Sequence, residues 1–316
     1  MLTLLIHGCP IPAIVAAVGL DERTVRAWLH KAGAHAALLH DQMAIGVEAR
    51  QIQADEIRVR VRGGTVWAAI ALDVGSRLWV ATALARRRDG LLIHLLLRRT
   101  LVALADRAFL LAVDGFASYV GGARSLVRVP ERTGRQGRPP LVWPEGFALA
   151  QVVKAGLQRG EGIVRRVVVG TEATVAAALA ASHGGTTINT AYSERLNATV
   201  RERLAPLVRR RRAPAQGTAL VEGGLHLLRL AYNYCWTHES LRLRAIGTGY
   251  RWVERTPALA AGLAARPYGL AELLRRPVHP VPLTAPRAPR RGRPSARGRL
   301  IPFPRPSAAP PERSAA

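Results

Sequence analysis

The sequence predicts an α/β protein that begins with a pair of helices, continues into a mixed β-sheet and ends in helices and a disordered basic tail. Three observations support this fold class. The hydrophobic period changes to two from residue 51. An apolar block of helix length is followed by a short apolar run of strand length. The end of the chain is rich in proline and arginine. The predicted parts are a helix-turn-helix region (1–40), a sheet domain (48–245), a helical extension (246–277) and the tail (278–316).

The charge balance points to a polyanionic partner. The chain has 316 residues, and its 46 Lys and Arg against 21 Asp and Glu give a formal charge of +25. With 49% hydrophobic residues it can bury a core, which excludes a disordered basic protein. Nucleic acid is the first candidate partner, because clustered arginine neutralises phosphate. Codon bias explains the use of Arg over Lys but not the shortage of acids.

Cysteine use and hydropathy indicate the compartment. Cys9 and Cys235 give neither a disulfide framework nor a zinc ligand set, which favours a reducing compartment. The apolar N-terminal segment is interrupted by His7, Pro10 and Pro12. No window reaches the roughly 18–20 uninterrupted apolar residues of a membrane span. We therefore expect a soluble cytoplasmic protein that makes no membrane contact.

Two helical patterns occupy the N-terminal region. "IPAIVAAVG" predicts a short helix that ends at Gly19. "DERTVRAWLHKAG" predicts a second helix with Asp21 as its N-cap and Gly33 as its end. The apolar face of the second helix is predicted to carry Val25, Trp28 and Leu29.

Two helices joined by a tight glycine turn are typical of a helix-turn-helix. In such a unit the second helix enters the major groove of DNA, so Arg23, Arg26 and Lys31 are candidate DNA contacts. A helical hairpin that packs on the rest of the chain explains the same pattern equally well.

Strand patterns begin at Gln51. "IRVRVRGGTVWAAIALDVGSRLWVATAL" predicts three strands with turns at Gly63-Gly64 and Gly75-Ser76. In the first strand the apolar face and the opposite, arginine face alternate: Ile57, Val59 and Val61 against Arg58, Arg60 and Arg62. Asp55 falls on the apolar face, at the start of the strand. A carboxylate there is unfavourable unless it is used.

A crossover follows the three strands. The segment from Asp89 to Asp106 predicts a helix, and "FLLAVDGFASY" predicts a buried strand that ends at Asp114-Gly115. An antiparallel meander, a helix and a strand parallel to the first are the opening of a ribonuclease-H-like fold. This crossover would bring Asp114 beside Asp55 on neighbouring strands.

The second half of the chain predicts mostly helices. Residues 121–150 are rich in Gly, Arg and Pro and predict a surface loop. "GIVRRVVVG" predicts a strand and "TEATVAAALAASHGG" a helix. A long helix is predicted from Ala191 to Val208, followed by the run Arg209–Arg212 and by a helical block over Gly217–Trp236.

Three acids form the candidate metal site: Asp55, Asp114 and Glu194. Two metal ions that clamp the attacking and leaving oxygens of a phosphodiester need a few convergent carboxylates. Mg²⁺ prefers oxygen ligands and keeps several waters, so three side chains suffice. Glu56 competes with Asp55 for the first position. Three other aspartates have structural explanations, as a turn residue (Asp73), a helix cap (Asp89) and a helix end (Asp106).

Glu194 shares a helix face with two further polar residues. Glu194, Asn197 and Arg201 stand at positions i, i+3 and i+7 of the predicted helix. Glu194 would reach the metal, and Asn197 and Arg201 would meet phosphates. A glutamate flanked by arginines is, by itself, more often part of a surface ion pair of small energetic worth.

The blocks "QADEI", "AVDGFASY" and "INTAYSERLNATVRERL", in this order and spacing, resemble the catalytic blocks of bacterial insertion-sequence transposases of the DDE class. "YNYCWTHESLR" and "RTPALAAGLAARPYGLAELL" resemble the later part of the same family, so the resemblance spans about Leu2 to Leu274. It implies a ribonuclease-H-like catalytic domain in which Asp55, Asp114 and Glu194 hold Mg²⁺ or Mn²⁺, as two ions. Many relatives carry a cysteine-rich zinc-binding segment before the helix-turn-helix, which this chain lacks.

The resemblance also implies a reaction and its partners. A metal-activated water would free a 3′-hydroxyl at each element end, and that hydroxyl would attack target DNA. The partners would be double-stranded DNA, as element ends and target, and further copies of the chain in a homo-oligomer on DNA. The protein would then be associated with the nucleoid.

No protein nucleophile is needed, so no covalent adduct with Ser118 or Tyr119 is expected. Two alternatives fit part of the pattern. One is a catalytically inactive DNA-binding protein or regulator derived from a transposase, and the other is a host nuclease with the same fold.

Overall fold

The computed structural model describes residues 1–132, 134, 136–154, 162–207, 214–247 and 251–278. Met1–Val278 forms one compact unit. The predicted tail beyond Val278 and the run Arg209–Arg212 lie outside the described residues.

A mixed sheet of six strands forms the centre of the molecule, which confirms the α/β class. The strands of the first half are β1 (Gln51–Val61), β2 (Gly64–Asp73), β3 (Trp79–Ala85), β4 (Leu110–Asp114), β5 (Val129–Pro130) and β6 (Leu141–Val142). The later strands are β7 (Ala148–Lys154), β8 (Ile163–Val169), β9 (Leu243–Arg244) and β10 (Trp252–Val253). The sheet order is β3-β2-β1-β4-β7-β8. Strands β1, β4 and β7 are parallel, and β2 and β8 are antiparallel to their neighbours.

The structure describes ten α-helices. The first five are α1 (Leu2–Ile6), α2 (Ile11–Val18), α3 (Glu22–Met43), α4 (Gly90–Ala103) and α5 (Ser118–Leu126). The last five are α6 (Glu172–Ser182), α7 (Ala191–Arg203), α8 (Thr218–Tyr234), α9 (Pro257–Ala260) and α10 (Leu270–Arg275). Among the described helices, none combines the length and apolarity that crossing a bilayer requires.

The predicted meander and crossover are present. β1 and β2 form a tight hairpin in which Val61 pairs with Gly64, and α4 leads from β3 to β4, which runs parallel to β1. Asp89 caps α4 by accepting a hydrogen bond from the Leu92 amide, and Asp73 accepts one from the amide of Ser76 in the following turn. The predicted structural roles of these two aspartates are therefore confirmed.

Helices cover both faces of the N-terminal half of β1, as its alternating side chains show. The odd-numbered residues bond to α6 and α7: Gln51 accepts a hydrogen bond from Ser182, and Asp55 accepts one from Asn197. The even-numbered Glu56 lies beside Tyr119 of α5 instead. Because both faces are covered, the N-terminal half of β1 is buried and shows no simple polar alternation.

The predicted end of the second helix at Gly33 is wrong. α3 continues to Met43, and Gly33 lies where α3 crosses α8. A Cβ built on Gly33 would stand 2.3 Å from the Cα of Gly223, so glycine permits the close approach of the two helices. Val25 and Leu29 are buried as predicted, but Trp28 is 54% exposed, which corrects its assignment to the buried face.

The surface loop predicted over residues 121–150 is also wrong at both ends. α5 extends to Leu126 despite its two glycines, because Gly122 packs against Leu97 of α4, 2.9 Å from where its Cβ would stand. β7 starts at Ala148 as an apolar strand between two neighbours. The Gly-, Arg- and Pro-rich composition of residues 121–150 therefore predicts neither the end of α5 nor the start of β7.

α7 is shorter than predicted. It ends at Arg203, and Leu204 has extended backbone angles. Pro206 follows two residues later, and because it has no backbone N–H it cannot donate the hydrogen bond that would continue α7. Val208, the predicted end, lies outside the described residues. The predicted strand at β8 and the helices at α6 and α8 are confirmed.

A buried histidine makes stability depend on pH. His40 is 1% exposed at the α3–α8 contact, where its Nε2 atom lies 2.9 Å from the Nδ2 atom of Asn233. Burial, with the nearby Arg229, lowers the pKa of His40 from 6.5 to about 4. In the unfolded chain His40 becomes protonated near pH 6.5, whereas in the folded chain it stays neutral until about pH 4. The free energy of unfolding therefore falls as the pH drops from 6.5 to 4.

We expect His40→Gln, which keeps an acceptor for Asn233, to flatten this dependence. Between pH 7 and pH 5 the wild type should lose about 2 kcal/mol more of unfolding free energy than the variant. Urea unfolding at both pH values measures the difference. An equal loss in the two proteins would contradict the assignment.

Candidate metal centre

Three carboxylates converge where β1 and β4 separate. The parallel ladder between these strands ends with Gln53 opposite Ala112. Continuing its register by two residues brings Asp55 opposite Asp114, the last residue of β4. Single carboxylate oxygens of Asp55, Glu56 and Asp114 lie within 4.8 Å of one another. The predicted juxtaposition of Asp55 and Asp114 is therefore present, and Glu56 joins them.

Asp55 and Glu56 reach the cluster from opposite faces of β1. Asp55 accepts hydrogen bonds from the side-chain amide of Asn197 at 2.7 Å and from the Glu56 backbone N–H at 2.8 Å. Glu56 is 7% exposed and lies under α5. The cluster thus lies at the carboxyl end of the central strand β4, between the helix layers of the two sheet faces.

Gln53 fastens the start of α7 to β1. Its side-chain oxygen accepts hydrogen bonds from the backbone N–H groups of Tyr192 and Ser193, both at 3.0 Å. Its side-chain amide donates to the carbonyl of Asn189 at 2.9 Å. These bonds fix the first turn of α7, which carries Glu194, against the strand that carries the first acids. Sequence reasoning missed Gln53, although a polar residue two positions before Asp55 shares its face.

All three predicted acids line one cavity. Asp55, Asp114 and Glu194 face an open cavity of about 530 Å³ at the carboxyl end of β4. Glu194 is exposed and accepts a hydrogen bond from the Thr190 hydroxyl at 3.2 Å. The tight carboxylate cluster contains Glu56, whereas Glu194 stands on the cavity wall. Its role as a metal ligand stays a prediction.

Arg88 binds the acid cluster. One of its guanidinium nitrogens lies 2.7 Å from Glu56 and 2.6 Å from Asp114. The guanidinium also lies 4.3 Å from the centre of the Phe116 ring, on the cavity wall. Sequence reasoning did not single out Arg88. The available signal was the run "ARRRD", three arginines just before the cap of α4.

The electrostatics of the cluster show an excess of negative charge. Burial raises the pKa of Asp55, and the carboxylates of Asp114 and Glu194 raise it further. Burial likewise raises the pKa of Glu56, although Tyr119 and Arg88 oppose the shift. The Tyr119 hydroxyl acts on Glu56 by proximity, since it lacks the geometry of a hydrogen bond. Burial and the nearby Glu56 raise the pKa of Tyr119 well above 10.

The donor set fits a divalent cation. One carboxylate oxygen of Glu56 and the amide oxygen of Asn197 are buried and receive no hydrogen bond from the described part of the chain. Carboxylate and amide oxygens are the ligands that Mg²⁺ and Mn²⁺ prefer. The cluster of Asp55, Glu56 and Asp114 could therefore hold a metal ion.

The predicted DNA contacts have diverse surroundings. Arg23 and Lys31 are exposed on α3, whereas Arg26 forms an ion pair with Glu22. Asn197 is buried, and its contact is with Asp55 rather than with solvent. Arg201 is half-buried on α7. The remaining contacts predicted, Arg209, Arg210, Arg211 and Arg212, lie outside the described residues.

Arg88 would compete with a metal ion for the carboxylates of Glu56 and Asp114, so its removal is expected to strengthen metal binding. For Arg88→Gln we expect the dissociation constant for Mn²⁺ to fall about two- to fivefold, as the loss of a partly exposed ion pair suggests. Isothermal titration of the DNA-free protein measures it. Arg98→Gln, an exposed arginine of α4, is the matched control. Weaker Mn²⁺ binding by Arg88→Gln would show that the guanidinium supports the site instead.

The chain matches no known protein-family model, and no curated protein matches it significantly.

Proposed function

We propose that the chain is a DNA transposase of the DDE class, which cleaves DNA and transfers strands with the help of divalent metal ions. One observation carries the proposal: Asp55, Asp114 and Glu194, chosen from the sequence, line a single cavity, and two of them join Glu56 in a cluster of metal-ligand spacing. Asp55 and Glu194 are 139 positions apart in the chain, yet both line the cavity at the carboxyl end of β4.

The order of the elements supports the proposal. The ribonuclease-H-like fold expected from the sequence opens with an antiparallel meander, a helix and a strand parallel to the first. β1, β2, β3, α4 and β4 follow this order. The acids lie at the carboxyl end of β4, beside β1, where open α/β sheets commonly bind ligands.

In this proposal Asp55 and Asp114 hold the ions together with Glu194 or Glu56. Mg²⁺ or Mn²⁺ bound there, as two ions, would activate the attacking oxygen and stabilise the leaving oxygen of a phosphodiester. Asn197 orients Asp55 by donating to its carboxylate.

Tyr119 of α5 is poorly placed to act as a nucleophile in the cavity. Tyr119 is fully buried beside Glu56, and the pKa of its hydroxyl is raised. A buried, protonated phenol is a poor nucleophile, which supports direct attack on phosphorus without a covalent protein–DNA intermediate.

The N-terminal helices would recognise the element ends. We propose that α2 and α3 act as the helix-turn-helix, with Arg23 and Lys31 exposed for DNA contact. α2 ends at Gly19 in the left-handed conformation, and Asp21 caps α3, so the turn between the helices is tight. The partners are double-stranded DNA, as element ends and target, and further copies of this chain. Because DNA is the substrate, we propose that the protein is associated with the nucleoid.

The test is a strand-transfer assay. The wild-type chain is incubated with labelled duplexes that carry candidate terminal repeats from the DNA on either side of its reading frame, and with a supercoiled target plasmid. Mg²⁺ should produce nicks with free 3′-hydroxyl ends and joined products, and EDTA should abolish both. Products that form equally in EDTA, or the absence of any cleavage of repeat DNA with Mg²⁺ and Mn²⁺, would refute the proposal.

Arg88 favours a second candidate, an inactive DNA-binding protein derived from a transposase. Its guanidinium pairs with both Glu56 and Asp114, so it could replace part of a metal ion's charge in a site that has lost the metal. This candidate predicts DNA binding without cleavage and no measurable Mn²⁺ binding in either the wild type or Arg88→Gln.

A further inference from the structure

The β1–β2 hairpin extends beyond the acid cluster. β4 ends at Asp114, but β1 continues to Val61 and remains paired with β2. Glu56, Arg58 and Arg60 lie on one face of β1, because side chains alternate along a strand. With a rise of about 3.3 Å per residue, Arg58 and Arg60 lie about 7 and 13 Å from Glu56 along the strand.

The opposite face of this hairpin is fixed against the core. Ile57 and Val59 are at most 2% exposed, and Val61 is 9% exposed. Arg60 and Arg62 also exchange backbone hydrogen bonds with Ala215, which borders the free edge of β1. The backbone that presents the arginines is therefore held on three sides, and the arginine face alone is open.

The open face carries two arginines, and the acid of the same face, Glu56, is paired with Arg88 instead. Arg58 stands opposite Trp67, and Arg60 stands opposite Thr65. Both arginines are exposed, and neither forms an ion pair with an acid of the described chain. The two like charges repel each other, and the residues that face them on β2 carry no charge that would offset this repulsion.

Two more exposed arginines follow the strand that ends this cross-strand row. Trp67 pairs with Ala85, the last residue of β3. Arg86 and Arg87 follow it directly and are exposed. We call these exposed arginines together the arginine track: Arg58, Arg60, Arg86 and Arg87. It borders Arg88, which is bound to the acid cluster.

We propose that the arginine track binds the phosphate backbone of duplex DNA next to the acidic cavity and so positions the duplex for entry into the cavity. The site then has two parts, a surface of arginines that form no ion pair within the described residues and a neighbouring cluster of carboxylates. The track binds phosphates electrostatically, and the cluster holds the cations that act on one of them. Phosphate contacts of this kind position DNA and carry no sequence information. The inference rests on the proposed function, because it takes the cavity as the reaction site.

The inference is tested by the salt dependence of DNA binding, measured in EDTA so that metal binding does not contribute. Fluorescence anisotropy with a labelled duplex of arbitrary sequence gives the dissociation constant across a salt series. Each phosphate contact contributes about 0.9 to the slope of log K against log salt. Arg58→Ala/Arg60→Ala should therefore lower the slope by about 1.8.

Two further variants separate charge from structure. Arg58→Lys/Arg60→Lys should restore most of the slope, because a phosphate contact needs a point charge. Arg98→Ala, on α4, should leave the slope as in the wild type. An unchanged slope in the double alanine variant overturns the inference, and so does a loss that lysine does not restore.

Failure of the proposed function gives a different result. If the chain binds DNA through the track but cuts no repeat DNA with Mg²⁺ or Mn²⁺, the binding surface stands and the enzymatic proposal falls. If the wild type binds no duplex at all, both are overturned.

Discussion

Asp114→Asn should abolish metal-dependent DNA cleavage and strand transfer while DNA binding is retained. Asp114 ends β4, faces the cavity and shares the carboxylate cluster with Asp55 and Glu56. Asparagine keeps the shape but removes the charge that binds a cation. Loss of groups that merely support metal ligands reduces activity by about 10–100-fold, so loss of a ligand should exceed about 100-fold. The strand-transfer assay and anisotropy measure the two properties on the same preparation.

Asp106→Asn is the matched control. Asp106 is exposed after α4 and accepts a hydrogen bond from the Ala108 amide, away from the cavity. This variant should keep wild-type cleavage. Substantial cutting by Asp114→Asn would mean that the acids are misassigned.

The same assay decides between the two candidates for the third ligand. If Glu194 binds metal, Glu194→Gln should abolish cleavage and leave the folded state intact, because Glu194 is exposed on the cavity wall. If Glu56 takes that place, Glu56→Gln should abolish cleavage, and Glu194→Gln should retain it. Mn²⁺ titration of each variant shows which carboxylate contributes to binding.

Gly33→Ala should destabilise the fold by about 1–3 kcal/mol, the range for overpacking a tight contact. Its Cβ would stand 2.3 Å from the Cα of Gly223, and the neighbouring atoms are backbone that cannot rotate away. α3 and α8 would have to separate. The change in urea midpoint measures the effect.

Gly121→Ala gives the opposite sign within the same fold. Gly121 also lies inside a helix, α5, but nothing stands within 4 Å of a Cβ built there. Alanine should therefore stabilise the protein by about 0.5–1 kcal/mol, since glycine loses more backbone entropy on folding. Equal effects of the two substitutions would contradict the close helix contact.

The parts of the fold that the sequence predicts are those in which one residue type has one local explanation. Asp89 and Asp73 are examples, because a cap and a turn are determined by neighbours in the chain. The parallel pairing of β1 with β4 was also predictable, since a strand, a helix and a second strand have few compact arrangements.

The failures come from tertiary contacts that override local preference. Gly33 and Gly122 favour helix ends and loops by propensity, yet each lies inside a helix because a neighbouring helix approaches it closely. Helical spacing places Trp28 on the apolar face with Val25 and Leu29, but Trp28 is exposed. Helical period alone does not tell which side of a helix another element covers.

In the candidate site, the sequence predicted the acids but not their environment. Asp55 and Asp114 stand out in the sequence because each lies in or at the end of an apolar strand. A carboxylate is unfavourable there unless it binds a partner. Arg88 and Gln53 were missed because nothing in a local pattern links an arginine before α4 to Glu56, or a glutamine on β1 to the start of α7.

The attachment of α7 through Gln53 has a thermodynamic consequence. The side chain of Gln53 joins a rigid strand to the one helix turn that carries Glu194. If a cation bridges the strand acids and Glu194, it binds the docked helix better than a detached one. By reciprocity, any change that loosens this helix weakens the affinity for the ion by the same factor. One glutamine amide would then couple the rigidity of a helix to the occupancy of a site that it does not touch.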